Sequence, residues 1–400
     1  MQSFHLARQP IYDRHLRVGG YELLFRPDAG AGDAGVVDGD RATSEVISTG
    51  IVDIGLERLV GTVPAFINVT ARFLQGELPL PQRKGQIVLE VLEDIPIDEA
   101  LVARLRELST AGYRLALDDF VFRPGCEALL PMVDYVKLDV LALGEDALGE
   151  YVTRLRPYGA LLLAEKVETH EVMTRCAELG FDLFQGYFFC RPKIITGKRP
   201  EASRVTVMHL LARIRDPEAS LDELEQLVSR DPAISFRLLR YINSAYCAVS
   251  VEVTSIRQAL VLVGTRQVRD WATLMLMSRL SDDKPSELMV TALVRARLCE
   301  RLGQGLPGYD RSQCFTLGLL SVLDALLDQP MADVVGQLPL DEATRDALVG
   351  EPGPLGTLLA QVLAYEQGRF TDAGEAAGRL APAYVDALAF ADAMQQNMGA

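Results

Sequence analysis

Seven short apolar runs in the first 190 residues each carry a carboxylate, an amide or an ammonium group at or just beyond their C-terminal end. The polar residues are Glu22, Asn68, Glu90, Glu93, Asp118, Asp119, Lys137, Asp139, Glu165, Glu168 and Gln185. In a β/α barrel the carboxyl ends of the strands open onto one face, and that face carries the active site. The spacing therefore predicts that these side chains converge on one spot.

The residue types in this set favour hydrolysis of a phosphoester with divalent cations. Six candidate ligands carry hard oxygen donors: Glu22, Asn68, Glu93, Asp118, Asp119 and Glu165. Oxygen-only ligation suits Mg²⁺ or Mn²⁺ rather than zinc, and six donors suffice for a pair of ions that acts on a phosphoester. Lys137 would hold a water or a phosphoryl oxygen, and Glu165 is the candidate base. The alternative for any single acid is a helix cap or an ion pair, but it explains the whole set poorly.

The elements that position these residues alternate between strand and helix from Ala65 to Cys190. Apolar runs of four to six residues read as strands, and helices are predicted over 97–111, 145–156 and 169–179. Such alternation predicts a parallel sheet. With strands from a hairpin over residues 4–25, eight strands can be counted, so a TIM-like (β/α)8 barrel is favoured over an open sheet. The chain has no Gly-x-Gly-x-x-Gly after a strand, which removes the main argument for a dinucleotide fold.

The length of 400 residues predicts two domains. We expect a barrel domain over residues 1–193, a linker over 194–203 that is rich in Pro, Gly and Lys, and a helical domain over 204–400. The predicted helices of the second domain include 204–214, 221–229, 234–246, 255–263, 265–281, 285–302 and 311–327. Within the barrel domain, a loop rich in Gly, Ala and Asp follows Pro27, and residues 41–58 have a helical pattern.

Charge and composition narrow the classes of function. The net charge of −15 disfavours broad binding to nucleic acid, because a negative surface repels the phosphate backbone. The six cysteines have no metal-site spacing, which indicates reduced thiols. No signal sequence and no run of about 18 apolar residues is present, so we expect a cytoplasmic protein without a membrane partner.

The barrel half resembles the EAL family of cyclic-di-GMP phosphodiesterases over residues 4–193. The matching segments are Gly20–Arg26, Asn68, Glu90–Glu93, Asp118–Phe120, Lys137–Asp139, Ala164–Thr169 and Gln185 with the residues that follow it. The resemblance implies two divalent ions, Mg²⁺ or Mn²⁺, held by Glu22, Asn68, Glu93, Asp118 and Asp119. It also implies that Lys137 steadies the water and that Glu165 acts as base or ligand. Gln185 would orient the site, and Leu24 and Arg26 would contact the nucleotide.

Four departures from the EAL pattern predict weak or absent catalysis. One is the Gly/Ala/Asp loop after Arg26, which replaces a segment that carries further substrate contacts in active relatives. The family has Gly-Thr-Gly where this chain has Val121, Phe122 and Arg123, and glycine permits backbone conformations that Val and Phe resist. Lys166 replaces a glycine, and its ammonium can compete with a cation for a carboxylate. Leu92 replaces a threonine. A metal site that keeps its ligands but loses the residues that orient them usually loses activity.

The helical half resembles the HDOD domain over residues 204–370. The similar segments are 231–245, 255–264 and 317–327. The related HD phosphohydrolases need a His-Asp pair, whereas this half has His209 alone and carries Ser321 and Val322 at the expected place. Metal-dependent hydrolysis by this half is therefore not expected. The resemblance implies a module that contacts other signalling proteins.

Three hypotheses follow for the whole chain. The leading one is a regulator of cyclic-di-GMP signalling with weak or no phosphodiesterase activity, which acts through protein contacts. The alternative is an active Mg²⁺- or Mn²⁺-dependent phosphodiesterase that converts cyclic-di-GMP to linear pGpG. The third, binding of nucleic acid by the helical half, is disfavoured by the net charge.

Overall fold

The computed structural model describes residues 4–27, 43–44, 47, 51, 54–81, 83–191, 202–229, 231–243, 253–280, 284–374 and 376–398. The chain forms two compact units. The barrel unit comprises Met1–Phe189 together with Tyr365–Thr371, and the helical unit comprises Cys190–Ala364 and Asp372–Ala400. The predicted loop after Pro27 lies outside the described residues, as do half of the predicted helix over 41–58 and most of the linker over 194–203.

Eight strands close into a barrel in chain order, which confirms the predicted fold class. They are β1 (Phe4–Asp13), β2 (Val18–Pro27), β3 (Ala65–Val69), β4 (Ile87–Val91), β5 (Arg114–Leu117), β6 (Tyr135–Asp139), β7 (Leu161–Glu165) and β8 (Leu183–Gln185). Strand β1 runs antiparallel to both of its neighbours, β2 and β8, and the remaining neighbours are parallel. The hairpin thus supplies the extra strand that closure requires.

A layer of apolar side chains fills the interior of the barrel. It consists of Ile11, Phe66, Val88, Ala116, Tyr135 and Leu163, with Leu183 packed against it. Successive side chains of a strand point to opposite faces, so the residue two positions after each member of this layer also points inward. On the parallel strands that residue lies one step closer to the carboxyl end of the barrel.

The helices predicted over 97–111 and 169–179 lie close to the expected bounds, whereas the helix predicted over 145–156 begins earlier, at Val140. The bounds of the helices between the strands are α1 Leu56–Val60, α2 Ala71–Leu74, α3 Glu99–Thr110, α4 Val140–Leu155 and α5 His170–Leu179. The Asp98 carboxylate accepts a hydrogen bond from the Leu101 backbone N–H, and Thr169 caps α5 through the Val172 N–H. Helix α4 is interrupted at Gly144, whose φ of 73° is not helical.

The helical unit contains twelve described helices, as the sequence pattern predicted for this half. They are α6 Ala202–Arg215, α7 Leu221–Ser229, α8 Pro232–Ile242, α9 Ile256–Leu262, α10 Thr265–Leu280, α11 Ser286–Leu302, α12 Arg311–Leu320, α13 Leu323–Leu327, α14 Met331–Val335, α15 Glu342–Leu348, α16 Pro354–Glu366 and α17 Ala376–Met398. The single helix predicted over 311–327 is wrong, because the chain leaves helical geometry at Val322 and forms two helices. Among the described residues, no helix is both long and apolar enough to cross a membrane.

Candidate functional site

A polar layer lies directly above the apolar layer at the carboxyl end of the barrel. Two positions after Phe66, Val88, Ala116, Tyr135, Leu163 and Leu183 come Asn68, Glu90, Asp118, Lys137, Glu165 and Gln185. Glu22 joins the layer from β2, where Gly20 stands below it against the Phe66 ring. Seven residues from distant parts of the sequence are thus brought together by strand alternation alone.

Lys137 lies at the centre of this layer and is only 1% exposed. Its Nζ is 2.7 Å from both Glu90 Oε1 and Asp118 Oδ1, 2.9 Å from Glu165 Oε1 and 3.2 Å from Glu22 Oε2. We call these four carboxylates the acidic ring. If all four were ionised, one ammonium would leave an excess of three negative charges in a buried place, where unpaired charge is costly.

Two amide side chains hold Glu22 in this ring. Gln185 Nε2 donates to Glu22 Oε2 at 2.6 Å and to Gln9 Oε1 at 3.0 Å, and Asn68 Nδ2 lies 3.5 Å from Glu22 Oε1. Gln9 is a site residue that the pattern of polar residues after apolar runs does not indicate. It lies on β1, where it is paired in register with Glu22.

The pKa values of the buried charged groups are shifted in opposite directions by burial and by the neighbouring charges. Burial raises the pKa of Glu90 well above its ordinary value and that of Asp118 above its own, and it raises the pKa of Glu165 to about 8. Burial would also raise the pKa of Glu22, but Lys137 and the hydrogen bond from Gln185 outweigh it and the value is lowered. Burial opposes the charge of Lys137, yet the surrounding carboxylates hold its pKa well above the ordinary value. The ring therefore combines an ionised Glu22 and Lys137 with carboxyl groups that retain protons readily.

Several oxygen atoms of this layer are buried without a hydrogen-bond partner. They include Asn68 Oδ1, Glu90 Oε2 and Glu165 Oε2, together with Asp119 Oδ1 just outside the ring. Buried acceptors without donors are rare in folded proteins and are commonly satisfied by an ion or water. In the described part of the chain, no three His, Cys, Asp or Glu side chains are arranged to hold an ion as they stand, and the acidic ring instead faces Lys137 Nζ. The oxygen-only donor set nevertheless fits Mg²⁺ or Mn²⁺ once the carboxylates turn from the ammonium.

A second set of charges lies outside the ring. Lys166, directly after β7, forms an ion pair with Asp139, and its Nζ is 3.8 Å from Asp119 Oδ1. Asp139 also accepts hydrogen bonds from the backbone N–H groups of Leu141 and Ala142 at the start of α4. We call Asp119 and Asp139 the outer acid pair.

Of the predicted site residues, Glu93 does not join the ring. It lies in the turn after β4 with an exposed side chain, and its backbone carbonyl accepts a hydrogen bond from Arg123. Glu90 stands in the ring instead, since the register of β3 and β4 places it beside Asn68. Both acids stand in the same short run, but only Glu90 is an even number of residues from Val88.

Of the two predicted substrate contacts on β2, Leu24 and Arg26, the structure describes the side chain of Leu24 alone. Leu24 shares the inward face of the strand with Glu22 and is partly buried, and Gly368 of the same unit lies directly against it. Arg26 is paired with His5 in the hairpin, and its side chain lies outside the described residues.

The loop that departs from the EAL pattern is anchored by its own side chains. Arg123 donates to the carbonyl oxygens of Glu93 and Ile95, at 2.5 and 2.9 Å. The Phe122 ring packs edge-to-face on Tyr151, with the guanidinium of Arg154 over its other side at 3.5 Å. The segment from Val121 to Arg123, which lacks the family's glycines, is therefore held by side-chain contacts that the sequence pattern did not reveal.

Stability of the protein in chelator should fall as the pH rises, and Glu165 should carry part of that dependence. The pKa of Glu165 is about 8 in the fold against an ordinary 4.5, so between these values the folded state holds a proton that the unfolded chain has released. The free energy of unfolding therefore decreases with pH across this window. We expect a shallower decrease for Glu165→Gln when urea denaturation is followed from pH 5 to 8. Parallel curves for the two proteins would contradict the assignment.

Comparison with known domain families finds a match in each of the two units. Residues 66–192 match the EAL domain, and residues 202–332 match the HDOD domain. The chain belongs to the family of proteins that join these two domains. Cyclic di-GMP phosphodiesterase CdgJ of Vibrio cholerae is 38% identical over 362 residues, which cover 90% of this chain and 84% of that protein. The uncharacterised protein YuxH of Bacillus subtilis is 32% identical and covers 94% of this chain and 93% of its own length.

Among solved structures, the YkuI protein of Bacillus subtilis is similar. It contains an EAL domain and was solved in complex with its substrate c-di-GMP and calcium. The match has 20% sequence identity and a TM-score of 0.40, and it covers 57% of this chain and 72% of that chain.

Proposed function

We propose that the barrel unit is a divalent-cation-dependent phosphodiesterase that hydrolyses cyclic-di-GMP to linear pGpG. The acidic ring around Lys137 carries this proposal, since it buries four carboxylates against one ammonium and leaves oxygen atoms of Glu90 and Glu165 without donors. A buried excess of negative charge is stabilised by a cation. The kinship with CdgJ, which is named as a cyclic di-GMP phosphodiesterase, supports the same choice of substrate.

The proposed ligands of the cation are Glu22, Asn68, Glu90 and Asp118. When bound, the cation would polarise a phosphoryl oxygen and favour deprotonation of a water molecule. Gln185 and Gln9 fix the orientation of Glu22 through the hydrogen bonds described above. Such support for a ligand usually matters for affinity almost as much as the ligand itself.

Lys137 and Glu165 are the proposed catalytic residues. The Lys137 ammonium stays charged because the surrounding carboxylates raise its pKa, so it can stabilise negative charge on a phosphoryl oxygen. Glu165 has a pKa of about 8, close to neutral pH, and its Oε2 has no donor. A carboxylate with these properties can take a proton from an attacking water and release it again.

A second candidate function is the weakly active or inactive regulator that the sequence departures favoured. The observation that supports it is the interaction of Lys166 with the outer acid pair, because this ammonium occupies carboxylate oxygens that could otherwise bind a cation. In either case we propose that the helical unit contacts other signalling proteins. Exposed apolar side chains on it, such as Phe236 (62% exposed) and Val261 (70% exposed), support that role.

Turnover of cyclic-di-GMP distinguishes the two candidates. The purified full chain would be incubated with cyclic-di-GMP and Mn²⁺ or Mg²⁺, and the linear product followed by chromatography. We expect metal-dependent product from the natural sequence and a loss of at least about 100-fold in Glu22→Gln, which keeps the shape of the side chain. No product with either metal, or equal product from the variant, would overturn the phosphodiesterase and leave the regulator.

A further inference from the structure

Lys166 has an unusual backbone conformation for its residue type. Its φ is 57°, in the left-handed region that glycine adopts readily and other residues rarely do. Asp119 is also in this region, with a φ of 38°. Among the described residues only Leu16 and Asp328 share this feature without being glycine, so two of the four instances lie just after β5 and β7 at the same end of the barrel. Such conformations persist where surrounding contacts enforce them, and they concentrate at functional sites.

The contacts that hold Lys166 are ionic. Its ammonium forms the ion pair with Asp139, and Asp119 Oδ1 lies 3.8 Å from the same Nζ. Asp119 Oδ1 is buried and accepts no hydrogen bond, so this ammonium is the nearest positive charge that the structure gives it. The Lys166 side chain thus reaches from the end of β7 to the ends of β5 and β6.

The adjacent residues Asp118 and Asp119 face two different ammonium groups. Asp118 points inward and pairs with Lys137 at 2.7 Å, whereas Asp119 faces Lys166. The acidic ring keeps a large excess of carboxylates over its one ammonium. The outer acid pair has two carboxylates for one ammonium, so its excess is a single charge. The inner layer therefore offers a divalent cation more carboxylate ligands per ammonium than the outer layer does.

We infer that Lys166 determines how many divalent cations this barrel binds, because its ammonium occupies the outer acid pair in place of a second cation. The inference rests on the proposed function, which supplies the inner ion held by Glu22, Asn68, Glu90 and Asp118. A second ion bound to Asp119 Oδ1 would stand close to the Lys166 ammonium, which lies 3.8 Å from that atom and is paired with Asp139. Like charges a few ångströms apart repel each other even at a half-exposed position such as this one, where the Lys166 side chain is 52% exposed. The barrel then takes one divalent cation, and removal of the ammonium opens a second position.

Stoichiometry of Mn²⁺ binding tests this inference without any need for catalysis. The full chain would be titrated by calorimetry in the absence of nucleotide, with free Mn²⁺ followed independently by electron paramagnetic resonance. We expect one bound ion for the natural sequence and two for Lys166→Gln, with an affinity for the second ion raised at least about tenfold. Lys166→Arg keeps the positive charge and should still bind one ion.

Two further variants locate each ion. Asp119→Asn in the Lys166→Gln background should return the count to one, because it removes a ligand of the second position. Glu22→Gln should remove the inner ion. Two ions in the natural sequence, or one ion in both the natural sequence and Lys166→Gln, would overturn the role of Lys166 while leaving the proposed function intact. No ion in any of these proteins would overturn the proposed function itself, and the inference with it.

Discussion

Glu90→Gln is expected to lower the turnover of cyclic-di-GMP by at least about 100-fold, whereas Glu93→Gln should change it by less than about threefold. Loss of an outer partner of a metal site already costs about 10- to 100-fold, and Glu90 is proposed as a direct ligand. Its side chain is fully buried, and its Oε1 is 2.7 Å from Lys137 Nζ. Glu93 has an exposed side chain, and only its backbone carbonyl supports the neighbouring loop.

The two glutamates form a matched pair, since they lie three residues apart and receive the same substitution. Turnover and Mn²⁺ affinity would be measured for both variants, with circular dichroism to verify that each is folded. Equal losses in the two variants would contradict the position of Glu90 as the ligand. A large loss in Glu93→Gln alone would restore the ligand set that the resemblance implied.

Lys137→Met should lower the free energy of unfolding by about 3–5 kcal/mol at pH 7, the usual cost of leaving a buried charge without its partner. The variant keeps a side chain of similar length but removes the only ammonium at the centre of the acidic ring. The carboxyl groups can escape part of this cost by taking up protons, so the loss should shrink at pH 5. Urea denaturation of the natural sequence and the variant, followed by far-ultraviolet circular dichroism, measures both effects.

Lys84→Met is the control for this prediction. Lys84 is half-buried, donates to the carbonyl oxygen of Ala111 and lies over the Tyr113 ring, so its replacement should cost no more than about 2 kcal/mol. Saturating Mn²⁺ should return part of the lost stability to Lys137→Met, because a ligand of the folded state shifts the equilibrium towards that state. A loss below about 1 kcal/mol in Lys137→Met would mean that the ring is hydrated and not a buried ionic cluster.

The sequence was sufficient to predict the barrel and most of the residues at its carboxyl end. Apolar runs separated by helical patterns imply parallel strands, and a polar residue at the end of each run then lies at the carboxyl end of the barrel. Glu22, Asn68, Asp118, Lys137, Glu165 and Gln185 lie together in the structure for this reason. Closure of the sheet confirms that the first hairpin completes the strand count.

Glu90 can be distinguished from Glu93 once the inward-facing residues of β4 are known. A charged residue inside the apolar strand Ile87–Val91 must point into the barrel or out of it, and only an even separation from Val88 places it inside. Glu93 has an odd separation and follows the end of the strand. The motif placed both acids in one run, and the motif alone could not decide between them.

Gln9 and the contacts of Lys166 were beyond sequence reasoning for different physical reasons. Strand β1 is antiparallel to its neighbours, so its residue at the carboxyl end of the barrel precedes the apolar Ile11 instead of following it. A search for polar residues that follow apolar runs therefore does not identify Gln9. Lys166 acts through a long flexible side chain, and which carboxylate it reaches depends on the positions of β5 and β6. The same dependence hid the anchoring of the loop by Arg123, which weakens the argument for absent catalysis.

A crystal of the full chain grown with Mn²⁺ and measured at the manganese absorption edge would test the central claim most directly. We predict an anomalous peak within coordination distance of Glu22, Glu90 and Asp118, with the Lys137 ammonium displaced from at least one of these carboxylates. Absence of such a peak at saturating Mn²⁺, with Lys137 Nζ still within about 3 Å of all four carboxylates, would contradict the account. The acidic ring would then be an ion-pair cluster that stabilises the barrel.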